Sequence, residues 1–330
     1  MGIPIMKKLG LLLSSLALCT AANAADLTIY TYDSFNSDWG PGPKLAEAFE
    51  KQCECDIEFV SVDDGVSILN RLRIEGDKTK ADVIVGIDDS LMELTRDMGL
   101  VAEHEQSLEG LEPALNWTDT EFAPFDYGYF SFIYDSSKIE TPVSSLKELV
   151  ESDAKVIYQD PRTSTVGQGL LLWMRSVYGD KADSAWKSLA QNTVTVTKGW
   201  SEAYSMFLKG ESDYVLSYTT SPAYHIVAEE KTQYKAAEFS EGHTTQIELA
   251  AVLKSSKNQA LAKQFVGFLM SEEAQKIIPV TNWMLPVRAG IELPEAFSTL
   301  AQPKRIGFTS EEVSEGRRDW VKEWRTSAAK

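Results

Sequence analysis

Histidine and cysteine, two residue types that often carry catalysis or metal binding, are scarce in this sequence. Of 330 residues, only three are histidine (His104, His225 and His243) and only three are cysteine. No H-E-x-x-H, H-x-H or G-x-S-x-G pattern is present, so a local signature of a zinc site or a nucleophilic serine is missing. A catalytic triad assembled from distant residues stays open. We expect no catalytic residue, no metal site and no cofactor.

Basic residues are clearly outnumbered by acidic ones. The chain has 32 Lys and Arg against 49 Asp and Glu, which gives a formal net charge of −17 at pH 7. A charge of this sign argues against nucleic acid and anionic membranes as partners. It is compatible with a cationic ligand, although many secreted proteins are acidic for solubility alone.

A hydrophobic run long enough to span a membrane is also missing. The N-terminus instead has a basic pair, Lys7 and Lys8, an apolar stretch over residues 9–19, and an A-x-A pattern at residues 22–24. This order predicts a secretory signal peptide over residues 1–24, cleaved from the mature chain. Either Met1 or Met6 can be the start.

The mature chain keeps two cysteines, Cys53 and Cys55, separated by one residue. An oxidising compartment allows a disulfide between them, although so short a loop gains little from closure. Two interpretations stay open, a local disulfide clip and a pair of small buried thiols. A metal site is not expected, because no further cysteine or histidine lies nearby in the sequence.

Short strands alternate with helices along the mature chain, a pattern typical of the α/β class. Removing residues 1–24 from 330 leaves 306 residues, a length near the upper limit for one core. We therefore predict two lobes, residues 25–125 plus 241–288 and residues 126–240 plus 289–330. Apolar segments near 125–134 and 240–253 are interpreted as two crossovers, which would form a hinge beside a cleft.

Residues 194–225 read as strand, helix, strand and loop, with aromatic rings and hydroxyls in the turns. Doubly wound sheets bind ligands in the crevice beyond their strand ends, which makes Trp200, Tyr218 and Tyr224 candidates for a binding site. Trp39 and Trp283 lie in other turns. Two rings facing each other across a cleft would hold a flat heterocycle, more tightly if it is cationic. The alternative is that these are ordinary half-buried aromatics.

Two turns have the chemistry of an anion site. Ser164 and Thr165 lie between a strand and a helix, where amides and hydroxyls can bind a phosphate or carboxylate. Asp64 and Gly65 precede another predicted helix. Neither turn matches the phosphate loop that ends in G-K-[ST]. The alternative is that Ser164 and Asp64 simply cap their helices.

Several long runs closely resemble the periplasmic thiamine-binding proteins of bacterial thiamine ABC transporters. They are YTYDSFNSDWGPGP (30–43), VIYQDPRTSTVGQGLLLWM (156–174), TVTVTKGWSEAY (193–204), LKGESDYVLSYTTSPAYH (208–225) and NWMLPV (282–287). The resemblance covers essentially the whole mature chain. It implies a two-lobed periplasmic binding protein fold of type II, with a ligand cleft between the lobes. It also implies a monomer that captures thiamine, thiamine monophosphate and thiamine pyrophosphate and delivers them to permease subunits in the inner membrane.

The resemblance further implies which residues bind the ligand. Tyr224 and Trp283 would stack on its rings, and the turns at Asp64 and Ser164 would hold its phosphate end. The Asp64 carboxylate would repel phosphate unless it turns away. The full expected set is Tyr32, Trp39, Asp64, Gly65, Ser164, Thr165, Trp200, Tyr218, Thr219, Thr220, Ser221, Pro222, Tyr224 and Trp283.

Two other functions stay open. Related two-lobed proteins carry polyamines, iron or oxyanions, and a polyamine carrier would need acidic residues between the rings. Thiamine-degrading enzymes share this architecture and use a cysteine in the cleft as nucleophile. Cys53 and Cys55 instead lie beside a predicted helix end, so an enzyme is the least expected outcome.

Overall fold

The computed structural model describes residues 25–328, so the expected signal peptide lies outside the described residues. The strands are β1 (Leu27–Tyr32), β2 (Ile57–Val62), β3 (Val83–Asp88), β4 (Val101–Ala102), β5 (Phe122–Asp135), β6 (Val156–Gln159), β7 (Thr193–Thr197), β8 (Tyr214–Tyr218), β9 (Tyr234–Ala236), β10 (Thr245–Leu253) and β11 (Leu285–Pro286). The helices are α1 (Gly42–Cys53), α2 (Gly65–Glu75), α3 (Met92–Arg96), α4 (Leu146–Glu151), α5 (Thr165–Tyr178), α6 (Ala182–Asn192), α7 (Trp200–Leu208), α8 (Ser221–Glu229), α9 (Gln259–Leu269), α10 (Glu272–Ile277) and α11 (Ser310–Ala328).

The strands form one continuous twisted path in the order β2-β1-β3-β10-β5-β8-β6-β7. On one side of β5, strands β1, β2 and β3 run parallel and β10 runs antiparallel to β3. On the other side, β6 is parallel to both β7 and β8. Each half therefore has the parallel strands that an alternating strand–helix sequence predicts.

The long strand β5 belongs to both halves of the sheet. Its residues 122–129 pair with β10, and its residues 130–134 pair with β8. β10 shifts register between Glu248 and Leu249, a β-bulge directly at the centre of the path. The two strands at the middle of the sheet thus connect the lobes, at the segments that the sequence indicates as crossovers.

Each half buries its own hydrophobic side chains. In the first half, one cluster includes Phe49 and Phe265 and another, on the opposite face of the sheet, includes Ile68 and Leu249. In the second half, the largest cluster contains Trp173 and Trp186. Separate cores are what allow two lobes of one chain to move as units.

The C-terminal helix α11 contacts both lobes. It packs against α5 and α6 of the second half and against α3 of the first. Arg317 on this helix donates to the buried side chain of Gln168, which in turn donates to Ser90 Oγ at 2.6 Å. The lobe boundaries at residues 240 and 288 stay a prediction, and α11 adds a third connection that the sequence pattern does not indicate.

Two further features concern the cysteine pair and the length and polarity of the helices. Cys53 and Cys55 are joined in a disulfide at the end of α1, which corresponds to the clip rather than the free thiols. Among residues 25–328, every helix is too short or too polar to cross a bilayer.

Gly86 on β3 must be a glycine to leave room for the ring of Tyr32. Its φ is +105°, and a Cβ on this residue would lie 2.2 Å from the Tyr32 ring. Gly76 also has a positive φ, +52°, but a Cβ on Gly76 would point into open space. We expect Gly86→Ala to lower the free energy of unfolding by about 3 kcal/mol and Gly76→Ala by about 1 kcal/mol. Urea denaturation of both variants measures this, and equal losses would contradict the packing argument.

Candidate functional site

A cleft of about 440 Å³ lies where the two halves of the sheet meet. This volume falls in the range of small-ligand sites. The walls come from the ends of β1 and β8, the first turns of α2, α5 and α7, and the loop after α10. Nine of the residues expected from the sequence line it, namely Tyr32, Trp39, Asp64, Thr165, Trp200, Tyr218, Ser221, Tyr224 and Trp283.

The other five expected residues lie behind these walls. Gly65 is the first residue of α2, and Ser164 is the fully buried N-cap of α5. Thr219 and Thr220 are each 1 % exposed, and Pro222 lies in the first turn of α8. These residues shape the turns that hold the lining side chains, and their direct contact with a ligand stays a prediction.

Trp200 is held firmly in the wall of the second lobe. It begins α7 because Gly199, with an extended backbone, occupies the N-cap position. Its Nε1 donates to Ser217 Oγ at 2.8 Å, and its ring stacks on Tyr204 with centroids 4.8 Å apart. Trp39, 56 % exposed, faces Trp200 at 6.1 Å from the other lobe. The pair brings one aromatic ring from each lobe to the mouth of the cleft.

Tyr224 and Trp283 form a second aromatic contact. Tyr224 lies on helix α8, not on a loop, and its ring meets Trp283 edge to face at 5.5 Å and 70°. A flat ring therefore enters between them only if one of the two turns. Trp283 has φ +57°, a left-handed conformation that bulky residues rarely adopt. Strain of this kind is concentrated at functional sites, where the surrounding structure maintains it.

His225 supports this wall from behind. It is fully buried, its Nε2 pairs with the Tyr204 hydroxyl at 2.9 Å, and its Nδ1 pairs with Glu229 at 2.6 Å. Burial lowers the pKa of His225, and Glu229 partly opposes that effect. Both ring nitrogens are therefore occupied in positioning other side chains.

The Asp64 carboxylate lies at the meeting point of three helix N-termini. It accepts hydrogen bonds from the first amide of each: Gly65 N of α2 at 2.7 Å, Thr165 N of α5 at 3.2 Å and Trp200 N of α7 at 3.2 Å. Ser164 Oγ at 2.8 Å and Thr165 Oγ1 at 3.3 Å donate to it as well. Because α2 belongs to one lobe and α5 and α7 to the other, this single carboxylate connects the lobes.

Asp64 thus takes the place that the sequence suggests for a phosphate. Burial raises its pKa from 3.8 to about 6, and the hydrogen bonds from the three helices only partly counter that rise. The donors at Gly65, Ser164, Thr165 and Trp200 are all engaged with its two oxygens. A phosphate group would reach them only by displacing this carboxylate.

Two buried acids lie at the floor of the cleft, Glu248 lining it and Asp126 behind Glu248, and sequence reasoning missed both. Glu248 on β10 lies opposite Asp126 on β5 in the strand register. Asn282 Nδ2 donates to Asp126 Oδ2 at 2.6 Å and to Glu248 Oε2 at 3.1 Å. Tyr32 OH donates to the same Glu248 oxygen at 2.8 Å. We call these two residues the floor acids.

The floor acids have strongly altered acidities. Burial, followed by the charge of Asp126, holds the pKa of Glu248 well above its usual range. Burial raises the pKa of Asp126 to about 7. Two buried carboxyls this close do not readily ionise together, so at least one of them keeps a proton.

One signal could have found Glu248. It is a lone acid in the strand segment TQIELAAVL, whose other residues are mostly apolar, and an acid in a buried strand needs a reason. Asn282 is the first residue of the run NWMLPV (282–287), directly before Trp283, so its position could have placed it among the expected binding residues. Tyr204 follows Trp200 by four residues, which places both rings on one face of α7. Asp126 has no comparable signal.

Residues 25–328 contain no group of three or more His, Cys, Asp or Glu side chains that could hold a metal ion.

The fold and the site define a two-lobed carrier, with two strands crossing between the lobes and a cleft at their junction. The chain belongs to the bacterial extracellular solute-binding protein family, whose model matches residues 41–276.

The sequence is similar to curated relatives along nearly its whole length. It is 54 % identical over 320 residues to the thiamine-binding periplasmic protein of Salmonella typhimurium, covering 96 % of this chain and 98 % of that one. The protein of the same name from Escherichia coli is 53 % identical with the same coverage. That from Haemophilus influenzae is 46 % identical over 334 residues, 98 % of this chain and 100 % of that one.

Solved structures agree with the sequence comparison. A periplasmic thiamin binding protein matches with a TM-score of 0.90 at 53 % identity, covering 92 % of this chain and 96 % of that one. A ferric binding protein from Campylobacter jejuni matches with a TM-score of 0.76 at 20 % identity, covering 91 % and 99 %, which shows the shared fold alone. The predicted two-lobed fold is confirmed. The names of the relatives also confirm the periplasm as the compartment and a binding protein rather than an enzyme as the class.

The protonation of the buried Asp126 carboxyl can be tested through the pH dependence of stability. The folded chain keeps a proton on this carboxyl, with a pKa of about 7, that the unfolded chain loses above the ordinary value of 3.8. Its contribution to stability therefore falls as the pH rises from about 4 to about 7. Asp126→Asn mimics the protonated acid and removes this dependence. We expect the stability of the variant relative to wild type to rise by about 2–3 kcal/mol between pH 5 and pH 8.

Urea denaturation at the two pH values measures this difference. The buried histidines, whose pKa values are lowered and whose effect on stability has the opposite sign, are present in both proteins and cancel in the comparison. A stability difference that does not change with pH would show that Asp126 carries no extra proton when folded.

Proposed function

We propose that this protein captures thiamine in the cleft between its lobes and delivers it to the permease of an ABC transporter. The observation that carries the proposal is the similarity, over nearly the full length, to proteins named as thiamine-binding. Thiamine has a flat aminopyrimidine and a cationic thiazolium ring. The cleft offers aromatic rings and buried carboxyls, which are the groups that bind flat cations.

The contacts of Asp64 support a mechanism in which the lobes close on the ligand. Each hydrogen bond from α5 and α7 to this carboxylate exists only when the lobes are together. Ligand binding then shifts the population toward the closed state, in which ligand contacts from both lobes add to these bonds. We take the moving units to be residues 25–125 plus 241–288 and residues 126–240 plus 289–330. The protein would act as a monomer, and the closed form would be what the permease receives.

The proposed ligand contacts follow from the site. Tyr224, Trp283 and Trp200 supply rings, and Tyr218, whose hydroxyl donates to Gln246 at 3.1 Å, supplies a further ring beside Phe130. Thiamine monophosphate and thiamine pyrophosphate extend the ligand toward the N-termini of α2 and α5. Binding of these phosphorylated forms requires the Asp64 carboxylate to move away from the amides and hydroxyls that donate hydrogen bonds to it.

Calorimetry with thiamine tests the proposal directly. We expect wild type to bind at micromolar concentration or below, and Trp283→Ala to weaken binding roughly 30-fold, about 2 kcal/mol, because it removes a central aromatic contact. Trp320→Ala is the matched control, since Trp320 lies on α11 against Phe308 and away from the cleft. Absence of thiamine binding by wild type at micromolar concentration would overturn the proposed function.

The preference for phosphorylated ligands gives a separate test at Asp64. Asp64→Asn keeps a good N-cap for α2 but removes the negative charge from the meeting point of the three helices. We expect the affinity for thiamine monophosphate relative to thiamine to rise roughly tenfold, because an anionic competitor is lost.

Asp160→Asn is the control for this experiment. Asp160 precedes α5, one of the three helices, but is paired with Arg162 and is not among the residues that line the cleft. An unchanged ratio of the two affinities in Asp64→Asn would mean that the phosphate does not use these donors.

A further inference from the structure

The floor acids Asp126 and Glu248 lie where the lobes are joined. Asp126 is on β5 and Glu248 is on β10, the two central strands of the continuous sheet. Asn282, from the loop that carries Trp283, binds both carboxyls and the Tyr32 hydroxyl. Three separate parts of the chain therefore converge to hold the Glu248 carboxyl against the cleft and the Asp126 carboxyl behind it.

Within the described part of the chain, no base forms an ion pair with either floor acid. Asp126 is 0 % exposed and Glu248 is 4 % exposed. Among the residues that line the cleft, the basic one is Lys209, which is exposed.

The groups that face Glu248 add further negative charge or remain neutral. They are Tyr32 from β1, Asp88 from β3, Asp126 from β5, Tyr218 from β8 and Asp64 from the start of α2. The Oδ1 atom of Asp126 is buried without a hydrogen-bond partner. Buried acids with neither a base nor a full set of donors are costly to a fold.

We propose that the floor acids are the counter-ion for the cationic ring of the ligand and make the cleft select cationic over neutral solutes of the same shape. This inference rests on the proposed function and deepens it. Without ligand, each of the two carboxyls keeps a proton. When a permanent cation binds beside Glu248, one proton passes to solvent and the pair keeps the other, so the single negative charge of the pair balances the charge of the ligand ring.

The test compares thiamine with its neutral isostere, in which a thiophene ring replaces the thiazolium. We expect wild type to prefer the cation, and Glu248→Gln to reduce that preference roughly tenfold or more by weakening thiamine and not the isostere. Glu47→Gln is the matched control, because it makes the same Glu-to-Gln replacement at an exposed residue on α1, away from the cleft. That control should keep the wild-type preference.

A second measurement needs no variant and so does not depend on whether Glu248→Gln folds. Calorimetry of wild type in two buffers of different ionisation enthalpy counts the protons released on binding. Near neutral pH we expect proton release with thiamine and none with the neutral isostere. Equal weakening of both ligands by Glu248→Gln, or equal proton release with both, would overturn the inference while leaving thiamine binding established. Failure of wild type to bind thiamine would overturn the proposed function, and the inference with it.

Discussion

The carboxylate of Asp64 is the point at which hydrogen bonds from helices of both lobes converge. Three helices from two lobes direct their N-termini at it, and each contributes its first backbone amide. Such amides have no partner within their own helices, and the helix dipoles favour a negative charge there. A residue at this point satisfies three helix ends at once, and the same bonds hold the walls of the cleft together.

The close approach of backbone at this point explains why small residues surround it. A Cβ on Gly65 would lie 2.2 Å from the Gly86 carbonyl oxygen and 2.6 Å from Thr165 Cγ2 of the other lobe. A Cβ on Gly199 would lie 2.7 Å from the Asp63 carbonyl oxygen. Glycine at these places lets helix ends from both lobes reach one carboxylate, so lobe contact and ligand enclosure have a common geometric requirement.

Much of this fold could be predicted from the sequence, because its signals are local. Strands alternating with helices, N-caps at Asp64 and Ser164, and aromatic residues in turns follow from periodicity and turn chemistry. The partners of Asp64 could not be predicted, since Ser164 and Trp200 lie 100 and 136 residues away along the chain. The edge-to-face contact of Tyr224 with Trp283 likewise depends on how α8 meets a distant loop. The sequence pattern indicates candidate anion-binding turns at Asp64 and Ser164, whereas the structure shows that the protein's own Asp64 carboxylate accepts their hydrogen bonds.

The two acidic regions of the cleft also influence each other. The charge of Asp64 contributes to the raised pKa of Glu248, so the three carboxyls of the cleft repel one another when ionised. A cation held at the floor acids would offset the charge of the acid that ionises there, so Asp64 could stay ionised, and an ionised carboxylate accepts stronger hydrogen bonds from helix amides than a protonated one. Ligand charge and lobe contact are then coupled through electrostatics, without any bond between the ligand and Asp64. The ferric binding protein of similar fold shares the architecture at 20 % identity. The path of the chain alone therefore does not define the chemistry of a cleft, which depends on the side chains that line it.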